Sequence, residues 1–363
     1  MPSTSVLCGQ LLVVGLAGTE LEARETRALA SGVRGGVVLF RRNIGPSMAG
    51  VAKLNASVQA AMPEGVPALI AVDQEGGRVV RLGPPAMPLP PMRRLGDIGD
   101  TELLASTAEA HARELKALGF TMSFAPVADV HTRPENPIIG DRAFAETPEA
   151  VARYAGAWAD GLSRAGILTC AKHVPGHGDT TVDSHLALPR VERARAELDR
   201  IEIAPFRALA QRPSIDAMMT AHVVYPALDA ERPATLSHAV CTDLIRRELG
   251  FQGVLFSDDL EMKAIAQPVS EAAVAAIAAG CDVLLVCSKW ELAEEAHEAL
   301  VREAEKSAAF RSRCEEAYGR ALAMRTRAVP TPITDERALG AVFEATKPAS
   351  VELERRLAAG ASS

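Results

Sequence analysis

The stretch Ser163-Arg164-Ala165-Gly166-Ile167-Leu168-Thr169-Cys170-Ala171-Lys172-His173 decides how the rest of the chain is read. A helical pattern precedes it, with Thr147 in the N-cap position, Pro148 at the first helical position, and Val151, Tyr154, Ala155, Trp158 and Leu162 on one face. The helix stops at Gly166, and an apolar run from Ile167 to Ala171 follows at once, ending in two polar side chains. Glycine at such a junction supplies the left-handed cap that turns a helix into the next strand. The same punctuation recurs at Leu118-Gly119-Phe120, Leu249-Gly250-Phe251 and Ala279-Gly280-Cys281.

Eight apolar runs read as buried strands: Gln10 to Val14, Gly36 to Phe40, Ala68 to Val72, Met122 to Pro126, Ile167 to Ala171, Ala217 to Ala221, Val254 to Ser257 and Asp282 to Val286. Strands alternating with helices imply a parallel sheet, and eight of them without a composition break predict a TIM-type (β/α)8 barrel in a single domain with C-terminal helices. No Gly-x-Gly-x-x-Gly follows the first strand, which argues against a dinucleotide fold. The barrel is expected over residues 1–327, its last part helical from about residue 288. Pro330 and Pro332 then open a tail, residues 328–363, whose packing the sequence does not give.

Composition narrows the partners. The 363 residues are 48% hydrophobic and 23% charged, typical of a globular protein with ample core. The net charge of −7, without a long Lys/Arg run, argues against nucleic acid or an anionic membrane as partner. Six cysteines show no Cys-x-x-Cys spacing and read as reduced core thiols. The apolar segment Val6 to Ala17 has no basic start and is too short to span a bilayer, so the expected compartment is the cytoplasm.

Barrel active sites lie at the carboxyl ends of the strands, so the polar residues following each apolar run are the candidates. Asp73, Gln74, Glu75, Arg78 and Arg81 follow the third run, Lys172 and His173 the fifth, His222 the sixth, Asp258 and Asp259 the seventh. Lys172 and His173 run on into Val174-Pro175-Gly176-His177-Gly178-Asp179-Thr180-Thr181-Val182-Asp183-Ser184-His185, so that the fourteen-residue segment from Lys172 to His185 holds three of the eight histidines. Its two glycines and proline break any period, predicting a reactive loop on irregular backbone.

Two chemistries suit this loop. His173, His177, Asp179, Asp183 and His185 could hold zinc in a hydrolase, although the glycines and proline leave the His-x-x-x-His pair off any single helix face. Alternatively, Asp183 orients His185 as a proton shuttle opposite a strand-end carboxylate nucleophile, with Asp258 the leading choice. A loop that only packs against the barrel mouth is the third possibility.

The segments Lys172 to His185, Gly253 to Met262, Ala71 to Arg78, Asn136 to Phe144, Thr220 to Pro226 and Pro233 to Ser237 together resemble the β-N-acetylhexosaminidases of glycoside hydrolase family 3, the NagZ type, from about residue 10 to 290. The resemblance implies an exo-acting, retaining glycoside hydrolase in which Asp258 forms a covalent glycosyl-enzyme and His185, assisted by Asp183, is the acid/base. It further implies that Asp73, Arg81, Arg142, Lys172 and His173 bind the sugar, with no metal and no organic cofactor. The substrate class would be a carbohydrate, an N-acetylglucosaminyl muropeptide of peptidoglycan recycling or a chitooligosaccharide. A histidine in place of a second carboxyl group means that carboxylate spacing does not report the stereochemistry. The chain departs from the family's loop at Val174, where phenylalanine is usual. A glycoside phosphorylase and a non-catalytic sugar-binding protein on the same fold are the competing readings.

Overall fold

The structure is a computed structural model and describes residues 2–180 and 188–360. Eight parallel strands close into a barrel: β1 Leu12–Gly15, β2 Gly36–Leu39, β3 Leu69–Val72, β4 Met122–Ser123, β5 Leu168–Val174, β6 Ala217–Thr220, β9 Val254–Asp259 and β10 Val283–Val286. Each predicted run overlaps one of them. The strands neighbour each other in chain order, and β1 pairs with β10 to shut the ring, Leu12 beside Leu284. Between β6 and β9 the chain adds the antiparallel hairpin β7 Val224–Tyr225 and β8 Asp229–Pro233, which the apolar-run reading did not contain because its strands are short and β8 is largely exposed.

The surrounding helices are α1 Thr4–Gly9, α2 Ala23–Ala30, α3 Met48–Ala61, α4 Met92–Ile98, α5 Thr101–Ala117, α6 Pro148–Arg164, α7 Arg195–Arg200, α8 Ile203–Leu209, a π-helix over Ala239–Glu248, α9 Val269–Ala279, α10 Trp290–Lys306, α11 Ala308–Arg325 and α12 Glu336–Gly360. In α6 the five residues assigned to one face are all buried. Gly119, Gly166, Gly250 and Gly280 have φ of 88°, 84°, 71° and 132°, values that side-chain-bearing residues rarely adopt, so glycine ends each helix as expected. All six cysteines are buried and free of disulfides. Among the described residues no helix is long and apolar enough to cross a membrane.

The amino end of the barrel is plugged by α11. Ala321 and Met324 pack with the lumen side chains of the strands. Arg325 donates to the Gly35 carbonyl at 2.6 Å and to Gln10 Oε1 at 2.7 Å, while Arg313 and Arg320 reach Asp282 Oδ1 at 2.5 and 3.2 Å, and Arg327 pairs with Asp216. These partners precede β1, β2, β6 and β10, so one helix and the turn after it tie together four strand starts.

Residues 328–360, unread from the sequence, fold back as α12 against α4 and α5, with Leu339, Phe343 and Leu353 buried. Thr346 Oγ1 donates to Glu114 Oε1 of α5 at 2.5 Å, and Glu114 Oε2 accepts the Met87 N–H at 2.8 Å. Met87 lies on the long β3–α4 loop, which also supplies Arg81.

Candidate active site

At the carboxyl end of the barrel a cavity of about 210 Å³ is lined by Asp73, Arg81, Arg142, Lys172, His173 and Asp258, together with Glu75, His177 and Asp259. Six of the eight residues assigned to the site thus share one pocket. The other two, Asp183 and His185, fall outside the described residues.

The floor is an ion-pair ladder. Lys172 Nζ stands 2.8 Å from Asp73 Oδ1 and 2.5 Å from Glu75 Oε1, and Arg142 grips Glu75 through Nε at 2.8 Å and Nη2 at 3.0 Å. Arg81 Nη2 reaches Asp73 Oδ2 at 3.4 Å. Burial alone would push the Glu75 carboxyl up, but Arg142 and Lys172 override it and hold Glu75 well below the usual carboxylate range. Burial likewise opposes the Lys172 charge and is outweighed by Asp73 and Glu75, so the ammonium is kept. A charge-assisted network of this kind fixes the geometry of its members. Glu75 was only a strand-end candidate in the sequence; the structure makes it the counter-ion for two predicted sugar-binding cations.

Asp129, absent from the sequence reading, orients the histidines. Its carboxylate accepts His173 Nδ1 at 2.8 Å, the His173 N–H at 3.2 Å and the His177 N–H at 2.7 Å, which leaves His173 Nε2 as the ring nitrogen available to a ligand. Asp129 lies a few residues past the short strand β4, so a search limited to residues directly after each run passes over it.

Asp258, the penultimate residue of β9, lines the pocket. Burial pushes its carboxyl up, yet His222 and His173 nearby, with the Asp259 N–H at 2.8 Å from Oδ1, hold it below the usual range. Asp259 behaves oppositely: burial pushes it up to about 7, and its Oδ1 accepts the N–H groups of Glu261 at 3.2 Å and Cys287 at 3.3 Å. Of this adjacent pair Asp258 therefore carries the negative charge at neutral pH. His222 supports the backbone beside it, with Nε2 3.0 Å from the Asp259 carbonyl and Nδ1 2.7 Å from Thr235 Oγ1.

The described part of the histidine-rich segment, residues 172–180, differs from the displayed loop that its glycines suggested. Lys172 to Val174 belong to β5, and residues 172–180 are buried. Asn136 Nδ2 donates to the carbonyls of His177 at 2.9 Å and Gly178 at 3.0 Å. A Cβ on Gly178 would collide with the Val130 carbonyl, so glycine serves close backbone approach here and not freedom of movement. His177 Nδ1 lies 2.8 Å from Thr180 Oγ1, and burial pushes its ring down to about 4. The zinc grouping does not assemble from its described members: His173 is turned to Asp129, His177 to Thr180, and Asp179 to Arg193 at 3.0 Å. Among the described residues no three His, Cys, Asp or Glu side chains are placed to share a metal ion.

A closed parallel barrel with acids, cations and histidines gathered at the carboxyl ends of its strands places these groups where barrels of this type hold their active sites. Residues 4–322 match the glycosyl hydrolase family 3 N terminal domain, so the chain belongs to that family and is a glycoside hydrolase. It is 42% identical over 299 residues to a beta-hexosaminidase of Neisseria meningitidis serogroup C, covering 79% of this chain and 81% of the relative. Among solved structures, a glycoside hydrolase family 3 beta-N-acetylglucosaminidase from Paenibacillus sp. str. FPU-7 matches with TM-score 0.87 at 39% identity, over 96% of this chain and 69% of that one. NagZ from Neisseria gonorrhoeae in complex with N-trifluoroacetyl-D-glucosamine matches with TM-score 0.73 at 34% identity, over 86% of this chain and 98% of that one.

Proposed function

We propose that the protein is a retaining, exo-acting β-N-acetylhexosaminidase that releases non-reducing β-linked N-acetylglucosamine, working in the cytoplasm on muropeptides of peptidoglycan recycling. The observation that carries the reading is the ionised Asp258 at the wall of a small pocket whose other polar groups are paired and fixed. Family membership and relatives named for β-hexosaminidase activity support it.

Asp258 attacks the anomeric carbon as the bond to the leaving oxygen breaks and that oxygen takes a proton from His185; water then attacks the anomeric carbon, giving a proton to His185, as the bond to Asp258 breaks and frees the carboxylate. Asp183 holds the imidazole tautomer and stabilises its protonated form. Asp73, Arg81, Arg142, Lys172 and His173 bind hydroxyls and the N-acetyl group, contacts that tighten as the ring acquires oxocarbenium character. Residues 1–327 form the catalytic unit, and residues 328–360 brace it from outside.

The test is hydrolysis of a chromogenic β-N-acetylglucosaminide beside the matching β-glucoside, with and without phosphate or a chelator. Release from the N-acetyl sugar alone, indifferent to both additives, is the expected result. Phosphate dependence would instead make it a phosphorylase, and no release from either sugar would overturn the glycosidase assignment.

A further inference from the structure

We propose that Phe40 is a positioning residue for sugar binding: its ring, pinned by Arg42, holds the guanidinium of Arg81 at the pocket. The proposal rests on the reading of Arg81 as a sugar-binding residue.

Arg81 is the loosely tied cation of the pocket. Lys172 and Arg142 each stand 2.8 Å from a carboxylate oxygen. Arg81 reaches Asp73 only through Nη2, at 3.4 Å, while Lys172 takes the other oxygen of that carboxylate. Among the described residues this is the one hydrogen bond of the Arg81 side chain, and it is at the long, weak end of the range; the buried Nε has no partner. The backbone is better held, its N–H donating to Gln74 Oε1 at 2.7 Å, but that fixes the root of a long side chain and not its tip.

The tip meets an aromatic ring. Arg81 Cζ lies 5.7 Å from the centre of the Phe40 ring, within the distance at which a guanidinium is attracted to an aromatic face. Phe40 is half-buried and lines the same pocket as Arg81 and Asp258. Its own place is set twice over. Its N–H donates to Oδ1 of the buried Asn43 at 2.8 Å, and Arg42 Cζ stands 4.8 Å from the ring centre. Arg42 is anchored in turn, Nε donating to the Leu16 carbonyl just after β1 at 2.8 Å and Nη2 to the Cys287 carbonyl just after β10 at 2.5 Å. Gly15 leaves room for this, since a Cβ there would stand 2.5 Å from Arg42 Nη2. The two strands that close the barrel thus support the ring through Arg42, and the ring supports Arg81 on the β3–α4 loop.

A phenylalanine with only a packing role would contribute the same whatever stands at position 81, so coupling between the two residues separates the readings. The experiment is a double-mutant cycle on Phe40→Leu and Arg81→Met, with Phe40→Tyr beside it. It is read by the dissociation constant of N-acetylglucosamine in a ligand-observed NMR titration, and by KM and kcat on 4-nitrophenyl β-N-acetylglucosaminide. Phe40→Leu keeps an apolar side chain and removes the π face; it should weaken sugar binding about 5-fold, the scale of a partly shielded cation–π contact, and raise KM more than it lowers kcat. Phe40→Tyr keeps the ring and should retain most of the affinity. In the Arg81→Met background Phe40→Leu should cost less than about 2-fold, because the cation it held is gone. The same factor in both backgrounds, or no loss on Phe40→Leu alone, would overturn the positioning role. If Arg81→Met binds N-acetylglucosamine as tightly as the parent, the sugar-binding reading of Arg81 fails and the proposal falls with it; if Arg81→Met binds weakly and the cycle is additive, the role of Phe40 fails alone. Should Phe40→Leu not fold, Phe40→Met removes the same π face and carries the same outcomes.

Discussion

Glu75 and Lys172 form an ion pair of 2.5 Å with side chains 1% and 3% exposed, from the ends of two strands, β3 and β5, that are not neighbours in the barrel. The intervening strand β4 is only two residues long, so the pair bridges across it and defines the pocket floor. Removing one member of a buried pair strands the other.

Glu75→Gln is expected to lower stability by about 3 kcal/mol and to raise KM more than it lowers kcat, because Lys172 and Arg142 lose the anion that holds them. Thermal unfolding with and without N-acetylglucosamine checks this. An unchanged shift in Tm on adding the sugar would contradict a role for Glu75 in arranging the binding groups.

Asp258→Ala is expected to abolish turnover while the protein still binds N-acetylglucosamine, because the proposed mechanism makes this carboxylate the nucleophile whereas Lys172 keeps its pairing with Asp73 and Glu75. Azide, a small anionic nucleophile, should restore release of a good leaving group and give a glycosyl azide of inverted configuration. Turnover near the parental level in the alanine variant would remove Asp258 from the mechanism.

His111 on α5 is fully buried with neither ring nitrogen hydrogen-bonded, and burial pushes it down to about 4. The folded state thus favours the neutral ring, against an ordinary value of about 6.5 in the unfolded chain. Its contribution is complete above pH 6.5 and is lost as pH falls from there towards 4, by about 2 kcal/mol at pH 5. His177, pushed down for the same reason, adds to the slope. Urea midpoints at pH 7 and pH 5 should differ less in His111→Leu than in the parent; an equal difference would show that the ring titrates normally.

Arg325→Met should cost about 1–3 kcal/mol, because the Gly35 carbonyl and Gln10 Oε1 lose a buried donor. It should leave kcat/KM unchanged, being at the opposite end of the barrel from Asp258. Paired denaturation and kinetic measurements check both halves.

The barrel was legible because its signals are local. A glycine with positive φ and an apolar run of four or five residues are each set by near neighbours, and the four capping glycines and eight strands all fell where those signals lay. The polar residues directly after β3, β5 and β9 were legible for the same reason, and Asp73, Arg81, Lys172, His173 and Asp258 converge. Asp129 was not, since its work is to accept two backbone N–H groups and a ring nitrogen from residues 44 and 48 positions away. Arg193 likewise sits in a charge-rich stretch that reads as solvated surface, and only the fold shows three carboxylates around it. The packing of α12 was hidden because its buried face meets α4 and α5, elements more than two hundred residues earlier.

The contact from Thr346 through Glu114 to Met87 ties the last helix to the loop that supplies Arg81 to the pocket. The β3–α4 loop that it meets has Gln74 Oε1 accepting the Arg81 N–H at 2.7 Å and the Leu82 N–H at 3.0 Å, so the loop is hydrogen-bonded both beside Arg81 and at Met87, where the contact from α12 arrives. Residues far apart in the chain thus meet at one carboxylate, and a change at Thr346 is expected to reach the loop that carries Arg81 through Glu114.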